Sequence, residues 1–448
     1  MTLWCIAIVG SLGAAEVSPA MEPSLPVRVV GAWEIAVGPG IIRVGERDVS
    51  IADPVQLAVD PPETRLVRDE CYTDLPAFDS AAPGWRKGAR LRPLITEECS
   101  ATGLLDEATL RIKTGPGAAP VLTRGVDYEL DPFWATFGRL ESGNIARRQA
   151  VFVDYAYRPN RLDSVIVNAA GIVTRVPGAA GVGALRPPAV PDDAVVLANV
   201  WVPGFTDALT EDAVFPVLSD APSPAPEAPV ADRLLPNMLR KLRAGETVTI
   251  VAWGDSVTNG GGVGDDVNNW YQHQIAARLQ ARFPRARIRM LTAAWGGASS
   301  RLYLDAPPGG DHDFQRDVLD PKPDLVTIEF VNDAYLDEAG VQAHYGSILD
   351  RLRGIDAEVV LFTPHLVRPD WMGVNTENVR TDPRPYVTGL RRFAHEKNVA
   401  LADTSARWCA LWRQGIPYTT LLANAINHPD ARGMALFSDA FMALLPEE

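Results

Sequence analysis

The sequence predicts two domains: a C-terminal α/β domain built as three α/β/α layers around a parallel sheet, and a mostly β domain before it. Strand-like runs broken by Gly, Pro and Asn fill the chain up to about residue 215. Beyond residue 232, strand-like runs alternate with helical patterns. The segment 216–232 between them alternates proline with small and acidic residues, a composition typical of an extended linker.

The length and composition are those of a folded chain with room for two or three hydrophobic cores. Of the 448 residues, 47% are hydrophobic and 22% are charged, which is far from the composition of disordered chains. The formal net charge is −14, without a cluster of basic residues. Because nucleic acids and anionic membranes attract a positive surface, both are disfavoured as partners.

The N-terminal residues 1–20 are predicted to be a signal peptide, because an apolar stretch is followed by the small residues Ala14 and Ala15. This predicts a periplasmic or extracellular protein. The stretch lacks the usual Lys or Arg, so an apolar N-terminal strand in a cytoplasmic protein stays the alternative. No later stretch is apolar enough to span a membrane. Cys71 and Cys99 either form a disulfide or are buried free thiols.

Residues 25–215 are predicted to form a β-rich module. In "QAVFVDYAYRP", Val151, Val153 and Tyr155 alternate with Phe152, Asp154 and Ala156, which favours a strand buried on one face and partly on the other. The segments "TRGVDYELD" and "RLDSVIVNAAGIVTRVPG" resemble β modules of phage tail and surface-attached proteins. The resemblance implies a binding or spacer module; the alternative is a β domain that only packs on its neighbour.

Residues 233–448 are predicted to be the catalytic domain. Its strand-like runs are "TVTIVAW", "RIRMLTAA", "DLVTIEFV", "EVVLFTP" and "NVALAD", each followed by a helical pattern. In the first helix Tyr271, Ile275, Leu279 and Phe283 recur every four residues, the spacing of a buried helix face. In such folds ligands bind where the carboxyl ends of the strands lead into loops.

Four motifs lie in predicted loops of this domain, where the fold would place a ligand-binding site. Ser256 stands in "GDSVT", just past the first predicted strand, and either acts as a nucleophile or caps a turn. A serine nucleophile needs a base and N–H donors aimed at the oxyanion. Gly297 in "AAWGGASS" and Asn332 in "EFVNDAY" are candidate donors, and His428 in "NAINHPDARG" is the candidate base.

The motifs "GDSVT", "WGGASS", "FVND" and "NHP", in this order, resemble those of the SGNH hydrolases, also called the GDSL esterase and lipase family. The resemblance covers about residues 232–446 and implies an SGNH-type α/β/α fold. It makes Ser256 the nucleophile, with its own N–H, Gly297 and Asn332 as the oxyanion hole and His428 as the general base. Gly296 is the alternative to Gly297.

One position departs from the family. The acidic member of the triad usually lies three residues before the histidine, where this chain has Ala425. The neighbouring asparagines cannot carry the charge that stabilises an imidazolium. Either a backbone carbonyl orients His428, or a carboxylate comes from another loop, with Asp403, Asp333 and Glu329 as distant candidates.

Two further residues are predicted to line the substrate site. Trp295 adjoins the presumed oxyanion glycines, and His365 follows a strand; the alternative for both is a structural role. The acidic loops "GGDHDF" and "GVGDD" are interpreted as solvated. No metal and no cofactor are expected.

These features predict a serine hydrolase that cleaves carboxylic esters, with a short acyl group such as acetyl on a carbohydrate as the favoured substrate. The expected partner is therefore a small or polymeric ester, such as a polysaccharide. One alternative keeps the serine chemistry but transfers the acyl group to a sugar hydroxyl. Another is a surface glycan-binding protein whose catalytic site has decayed, as the alanine at position 425 would suggest.

Overall fold

The computed structural model describes residues 25–218 and 229–447. The predicted signal peptide and the central part of the predicted linker, 219–228, lie outside the described residues. Among the residues described, no helix is long and apolar enough to cross a membrane.

The N-terminal part is built from antiparallel strands, as predicted. Its sheets have the orders β1-β2-β5, β3-β4, β10-β13-β6, β11-β12-β7, β15-β14-β16-β17 and β8-β9. The strands are β1 Val27–Gly31, β2 Glu34–Val37, β3 Gly40–Val44, β4 Arg47–Ile51, β5 Val55–Ala58, β6 Arg65–Tyr72, β7 Ala89–Arg90, β8 Ile95–Thr96, β9 Cys99–Ser100, β10 Leu105–Lys113, β11 Tyr128–Asp131, β12 Thr136–Arg139, β13 Val151–Tyr157, β14 Arg161–Asn168, β15 Val173–Val176, β16 Ala194–Val202 and β17 Val214–Pro216.

Two hydrophobic cores contain most of the buried apolar residues described in this part. One lies between residues 25–59 and the sheet that contains β14 and β16. The other is formed by residues 75–157, around β10 and β13. Val151, Val153 and Tyr155 are buried in the second core, as the alternation predicts. The β-rich part is therefore packed around two separate cores.

The C-terminal part is a five-stranded sheet, all parallel, in the order β19-β18-β20-β21-β22. Helices cover both faces, so the predicted α/β/α domain is confirmed. The strands are β18 Thr247–Gly254, β19 Arg287–Ala294, β20 Leu325–Glu329, β21 Glu358–Phe362 and β22 Ala400–Ala402. The helices are α1 Ala231–Leu234, α2 Pro236–Ala244, α3 Tyr271–Arg282, α4 Ser300–Leu304, α5 Glu338–Arg353, α6 Pro385–Lys397, α7 Thr404–Cys409 and α8 Ala431–Met442.

The sequence of each element fits its place in the layers. Every residue of β20 is buried, because helices lie against both faces of a parallel sheet. Helices α3 and α8 pack together on one face, where Tyr271, Ile275 and Leu279 are buried. Helices α5 and α6 pack together on the other.

The two parts meet at the hairpin β8–β9, whose tip lies against the loop before α8. Cys99 of this hairpin is buried in a cluster with Trp134 and Ile426. The Thr96 hydroxyl donates to the backbone carbonyl of Asn424 at 3.2 Å, and this bond is buried. The β-rich part is thus packed directly against a loop of the α/β part. Cys71, Cys99 and Cys409 are free thiols.

Candidate active site

Four predicted residues meet at the carboxyl edge of the parallel sheet. Ser256 follows β18, Gly297 follows β19 and Asn332 follows β20. His428 comes from the loop that precedes α8. The carboxyl ends of parallel strands share one edge of a sheet, and this is why residues so far apart in sequence converge.

Ser256 and His428 are in hydrogen-bond contact. The Ser256 hydroxyl lies 3.1 Å from Nε2 of His428, and Ser256 is partly exposed. The chain turns sharply after Ser256, with the Gly261 N–H donating back to the Ser256 carbonyl at 2.8 Å. A serine beside an imidazole can lose its proton as it attacks an electrophile.

The glycine run after this serine lets the chain pass close beneath the histidine. A β-carbon on Gly261 would lie 2.9 Å from Cε1 of His428 and 2.9 Å from the Ser256 carbonyl oxygen. A β-carbon on Gly262 would lie 2.3 Å from the Pro429 carbonyl oxygen. These distances are shorter than ordinary van der Waals contacts, so the packing under the imidazole requires glycine.

Several N–H groups beside Ser256 are free to bind an oxyanion. No described residue accepts a hydrogen bond from the backbone N–H of Ser256, Gly296 or Gly297. Gly297 has a left-handed backbone, φ +79°, and both glycines are exposed. A β-carbon on Gly296 would lie 3.8 Å from Cβ of Ser256. Either glycine can therefore serve as a donor.

Asp255 fixes the position of Asn332. Its Oδ2 accepts from the backbone N–H of Asn332 at 3.0 Å and from Nδ2 at 2.9 Å. Its Oδ1 accepts from the Val257 N–H. An amide nitrogen has two hydrogens, so one N–H of the Asn332 side chain stays available for an oxyanion.

Buried carboxyl groups underlie this corner of the site. Burial raises the pKa of Asp255 to about 7, and the nearby Asp333 adds to the rise. Burial and the neighbouring Asp255 hold the pKa of Glu329 well above its ordinary value. Burial thus favours the protonated form of Glu329, and protonation reduces the repulsion between the carboxyl groups under the nucleophile.

The opposite nitrogen of the imidazole faces two carboxylates of the β-rich part. His428 Nδ1 lies 3.1 Å from Oε2 of Glu97 and 3.4 Å from Oε1 of Glu98. Both glutamates form the two-residue tip of the hairpin β8–β9. No motif in the sequence points to these glutamates, because Glu97 lies 331 residues from His428 and leaves no local signal.

Asn424 joins the hairpin tip to the histidine loop. Its Oδ1 accepts hydrogen bonds from the backbone N–H groups of Ile426, Asn427 and His428, each at 2.9 Å. Its Nδ2 donates to Oε1 of Glu98 at 3.0 Å. An asparagine whose oxygen binds three N–H groups in this way holds the loop in a single conformation.

The contacts of the two glutamates with His428 shift the pKa values of the histidine and of Glu98. Burial by itself acts to lower the pKa of His428, but the hydrogen bonds and charges of Glu97 and Glu98 outweigh it and raise the pKa to about 9. Burial likewise acts to raise the pKa of Glu98, yet its hydrogen bonds to His428 and Asn424 lower it to about 2. An imidazolium is therefore strongly stabilised at this position.

The carboxylates proposed from the sequence as partners of His428 lie elsewhere. Asp403 pairs with Arg391 and caps α7. Asp333 accepts from Ser300 and from the Tyr345 hydroxyl. Glu329 accepts from Thr258. Each belongs to the α/β part and has a structural partner there.

The two residues predicted to line the substrate site, Trp295 and His365, differ in their exposure. Trp295 is partly exposed beside the glycines, and its ring stacks on His312 with centroids 4.4 Å apart. His365, in contrast, is fully buried. Its Nε2 binds the carbonyl of Asn427 at 2.7 Å, and burial lowers its pKa to about 3. His365 is thus a neutral structural residue beneath the histidine loop, and the prediction that it lines the substrate site is wrong.

One group of side chains in the described part of the chain has the spacing of metal ligands. The ligand atoms of Glu97, Glu98 and His428 all lie within 4.8 Å of one another. The two glutamates contact Nδ1 of His428, and Nε2 of His428 contacts Ser256, so each of the three side chains already has a protein partner. We therefore assign no metal ion to them.

One family model matches the C-terminal part of the chain. Residues 252–436 match the model of the GDSL-like lipase/acylhydrolase family. No curated protein matches the chain.

Solved structures that match part of the chain include the following three. One is a two-domain esterase active on acetylated mannans, co-crystallized with mannopentaose (19% identity; 48% of this chain and 54% of that chain; TM-score 0.38). The others are an α/β hydrolase from the metagenome of Lake Arreo, Spain (21%; 45% and 97%; 0.36) and an acetylxylan esterase from Geobacillus stearothermophilus (21%; 45% and 95%; 0.36). The matched region spans about half of the first of these proteins.

Proposed function

We propose that the C-terminal domain, which belongs to the GDSL-like lipase/acylhydrolase family, is a serine esterase whose natural substrates are short acyl esters of carbohydrates. The contact between the Ser256 hydroxyl and His428 Nε2, at 3.1 Å, carries the proposal. A partly exposed serine with an imidazole at this distance, and free N–H groups around it, is the arrangement that acyl transfer needs.

The reaction proceeds in two halves. The Ser256 oxygen attacks the ester carbonyl carbon while its proton moves to Nε2 of His428. The oxyanion accepts hydrogen bonds from the N–H groups of Ser256 and Gly297 and from Nδ2 of Asn332. The bond to the alkoxide then breaks, and His428 donates its proton to the departing alcohol. Water, deprotonated by His428, attacks the acyl-serine, and the proton returns to Ser256 as the free acid leaves.

The openness of the site favours a short acyl group on a large alcohol. Gly296, at which a β-carbon would lie 3.8 Å from Cβ of Ser256, is exposed, and so are Gly297 and Asn259. A bulky substrate can therefore approach from solvent while only its acyl carbonyl enters between the donors. Tyr335, three residues after Asn332, is 60% exposed and offers a flat apolar face of the kind that sugar rings contact.

The first experiment compares turnover of p-nitrophenyl acetate, p-nitrophenyl palmitate and acetylated xylan. We expect turnover of the acetyl esters, with kcat lowered at least about 10³-fold in Ser256→Ala and His428→Ala. Ser347→Ala, which alters an exposed serine on α5, is the matched control and should retain full activity. Preference for palmitate would contradict the short acyl group, and an inactive wild-type protein would contradict the esterase itself.

Transfer to a sugar is distinguished by product analysis. With a sugar acceptor present, hydrolysis yields free acetate alone, whereas transfer yields an acetylated sugar.

The alternative of a decayed catalytic site is based on the missing acid at Ala425. The two carboxylates beside Nδ1 of His428 are an argument against that alternative, because they can replace the missing acid.

A further inference from the structure

We propose that Glu97 and Glu98 of the β-rich part together act as the positioning carboxylates of His428, so that the esterase site is completed by a second domain. The inference rests on the proposed function, because it concerns the histidine that serves as base. It departs from the family resemblance, in which one acid lies three residues before the histidine in the same domain.

The geometry of Nδ1 is the first argument. With Nε2 facing the Ser256 hydroxyl, the base must carry its proton on Nδ1. The acceptors within reach of that N–H are Oε2 of Glu97 at 3.1 Å and Oε1 of Glu98 at 3.4 Å. They select the tautomer that accepts the serine proton, and their charge stabilises the imidazolium that forms.

The anchoring of the two carboxylates is the second argument. Glu97 accepts through Oε1 from the Gly262 N–H at 2.7 Å, and Gly262 belongs to the glycine run after the nucleophile. Glu98 accepts from Nδ2 of Asn424 at 3.0 Å, and Asn424 organises the histidine loop. Glu97 thus binds Gly262 through one oxygen and faces His428 with the other. Glu98 uses the same oxygen, Oε1, for Asn424 and for His428. These bonds to the α/β part hold both carboxylates in place before substrate arrives.

The backbone of the hairpin tip is the third argument. Glu97 has φ +53°, a left-handed conformation that is unfavourable for a residue other than glycine. Strain of this kind persists where the surrounding structure imposes it and is concentrated at functional sites. Here the side chains of both tip residues lie beside the same imidazole.

Two carboxylates on one imidazole also predict the pH dependence. The titratable groups facing or close to His428 are Glu97 and Glu98 on the hairpin, Asp255 beneath Ser256 and His365 beneath the loop. The glutamates dominate and raise the pKa of His428 to about 9. Since only the neutral imidazole acts as base, kcat/KM should rise with pH up to about 9.

The test uses the full chain with the substitutions Glu97→Gln, Glu98→Gln and both together. Glutamine keeps the size and an acceptor oxygen but removes the charge. Above about pH 9, where the imidazole of the wild type is neutral, we expect each single substitution to lower kcat about 10-fold and the pair about 10³-fold, because either carboxylate partly replaces the other. The acidic limb of the kcat/KM profile should move to lower pH in each variant, and furthest in the pair.

Glu141→Gln is the control, because Glu141 is an exposed carboxylate of the same β-rich part outside the site. A purely structural role would lower activity at every pH without moving the limb. That result, or wild-type activity in the double variant, would overturn the proposal. If the double variant does not fold, the displacement of the limb in the single variants decides. An inactive wild-type protein would instead refute the proposed esterase, so the two failures are distinguishable.

Discussion

Substitution of Gly261 by alanine tests whether the glycine run exists to admit the catalytic imidazole. The new β-carbon would lie 2.9 Å from Cε1 and 3.0 Å from Nδ1 of His428. Carbon atoms in ordinary contact are about 3.5–4.0 Å apart, so the ring must retreat by about 0.6–1 Å. Gly261 is not among the positive-φ glycines, unlike Gly260 and Gly262, so the alanine adds no φ strain, and its close contacts are with this ring and with the Ser256 carbonyl oxygen at 2.9 Å.

The displacement sets the size of the effect. The Ser256 hydroxyl lies 3.1 Å from His428 Nε2, close to the upper limit of a good hydrogen bond. A further 0.6 Å or so would break it. A misplacement of about 1 Å commonly costs about 100-fold in rate, or about 2.7 kcal/mol in the barrier. We therefore expect kcat to fall about 100-fold for Gly261→Ala, with little change in KM.

The assay is steady-state hydrolysis of p-nitrophenyl acetate, with circular dichroism to verify that the variant is folded. Gly346→Ala is the control, because a β-carbon there would have no atom within 4 Å. A Gly261→Ala variant with kcat within twofold of the wild type would refute the reasoning. It would show that the loop yields without moving the imidazole.

Three other outcomes are expected. Gly346→Ala should raise the free energy of unfolding by about 0.5–1 kcal/mol, because Gly346 lies inside α5; urea unfolding measures this, and a lower value would contradict it. Asp255→Asn should lower kcat about 10- to 100-fold at similar KM, because Asp255 orients Asn332; unchanged kcat would exclude that role. In the folded protein His428 keeps its proton up to about pH 9, whereas in the unfolded chain it releases the proton near pH 6.5. The protonated imidazole therefore stabilises the folded state below pH 6.5, and this contribution is lost as the pH rises from 6.5 to 9. Between pH 6.5 and 9 the wild type should lose about 3 kcal/mol more of its unfolding free energy than His428→Gln, and parallel losses would argue against the raised pKa.

The part of the site that the sequence predicts is the part with a regular pattern. Strand and helix periodicity places Ser256, Gly297 and Asn332 at one edge of a parallel sheet, because the topology of such sheets is strongly constrained. His428 follows from its position before the last helix. The same reasoning does not reveal whether a side chain is buried. For this reason it wrongly predicts that His365, which also follows a strand, lines the substrate site.

What the sequence could not predict depends on long-range packing. The hairpin β8–β9 has strands of two residues each, too short for an alternation to be visible. Its contact with the histidine loop is fixed by the cluster of Cys99, Trp134 and Ile426, which lie far apart in the chain. The free Cys99 thiol belongs to this packing, and this explains its burial without a disulfide.

The left-handed Glu97 allows activity and stability to be separated. Glu97→Asn and Glu97→Gln both remove the carboxylate that faces His428, so both should lower kcat to a similar extent. Asparagine tolerates positive φ better than glutamine does, and the backbone at this position has φ +53°. We therefore expect the asparagine variant to unfold with a free energy about 0.5–1 kcal/mol higher than the glutamine variant.

Urea unfolding of the two variants at one pH measures this difference directly, and because both lack the charge, the lost ion pair cancels in the comparison. Equal unfolding free energies would mean that the hairpin tip holds glutamate without strain. A more stable asparagine variant with the same loss of kcat would mean that the chain keeps an unfavourable backbone at position 97 in order to bring a carboxylate to the imidazole.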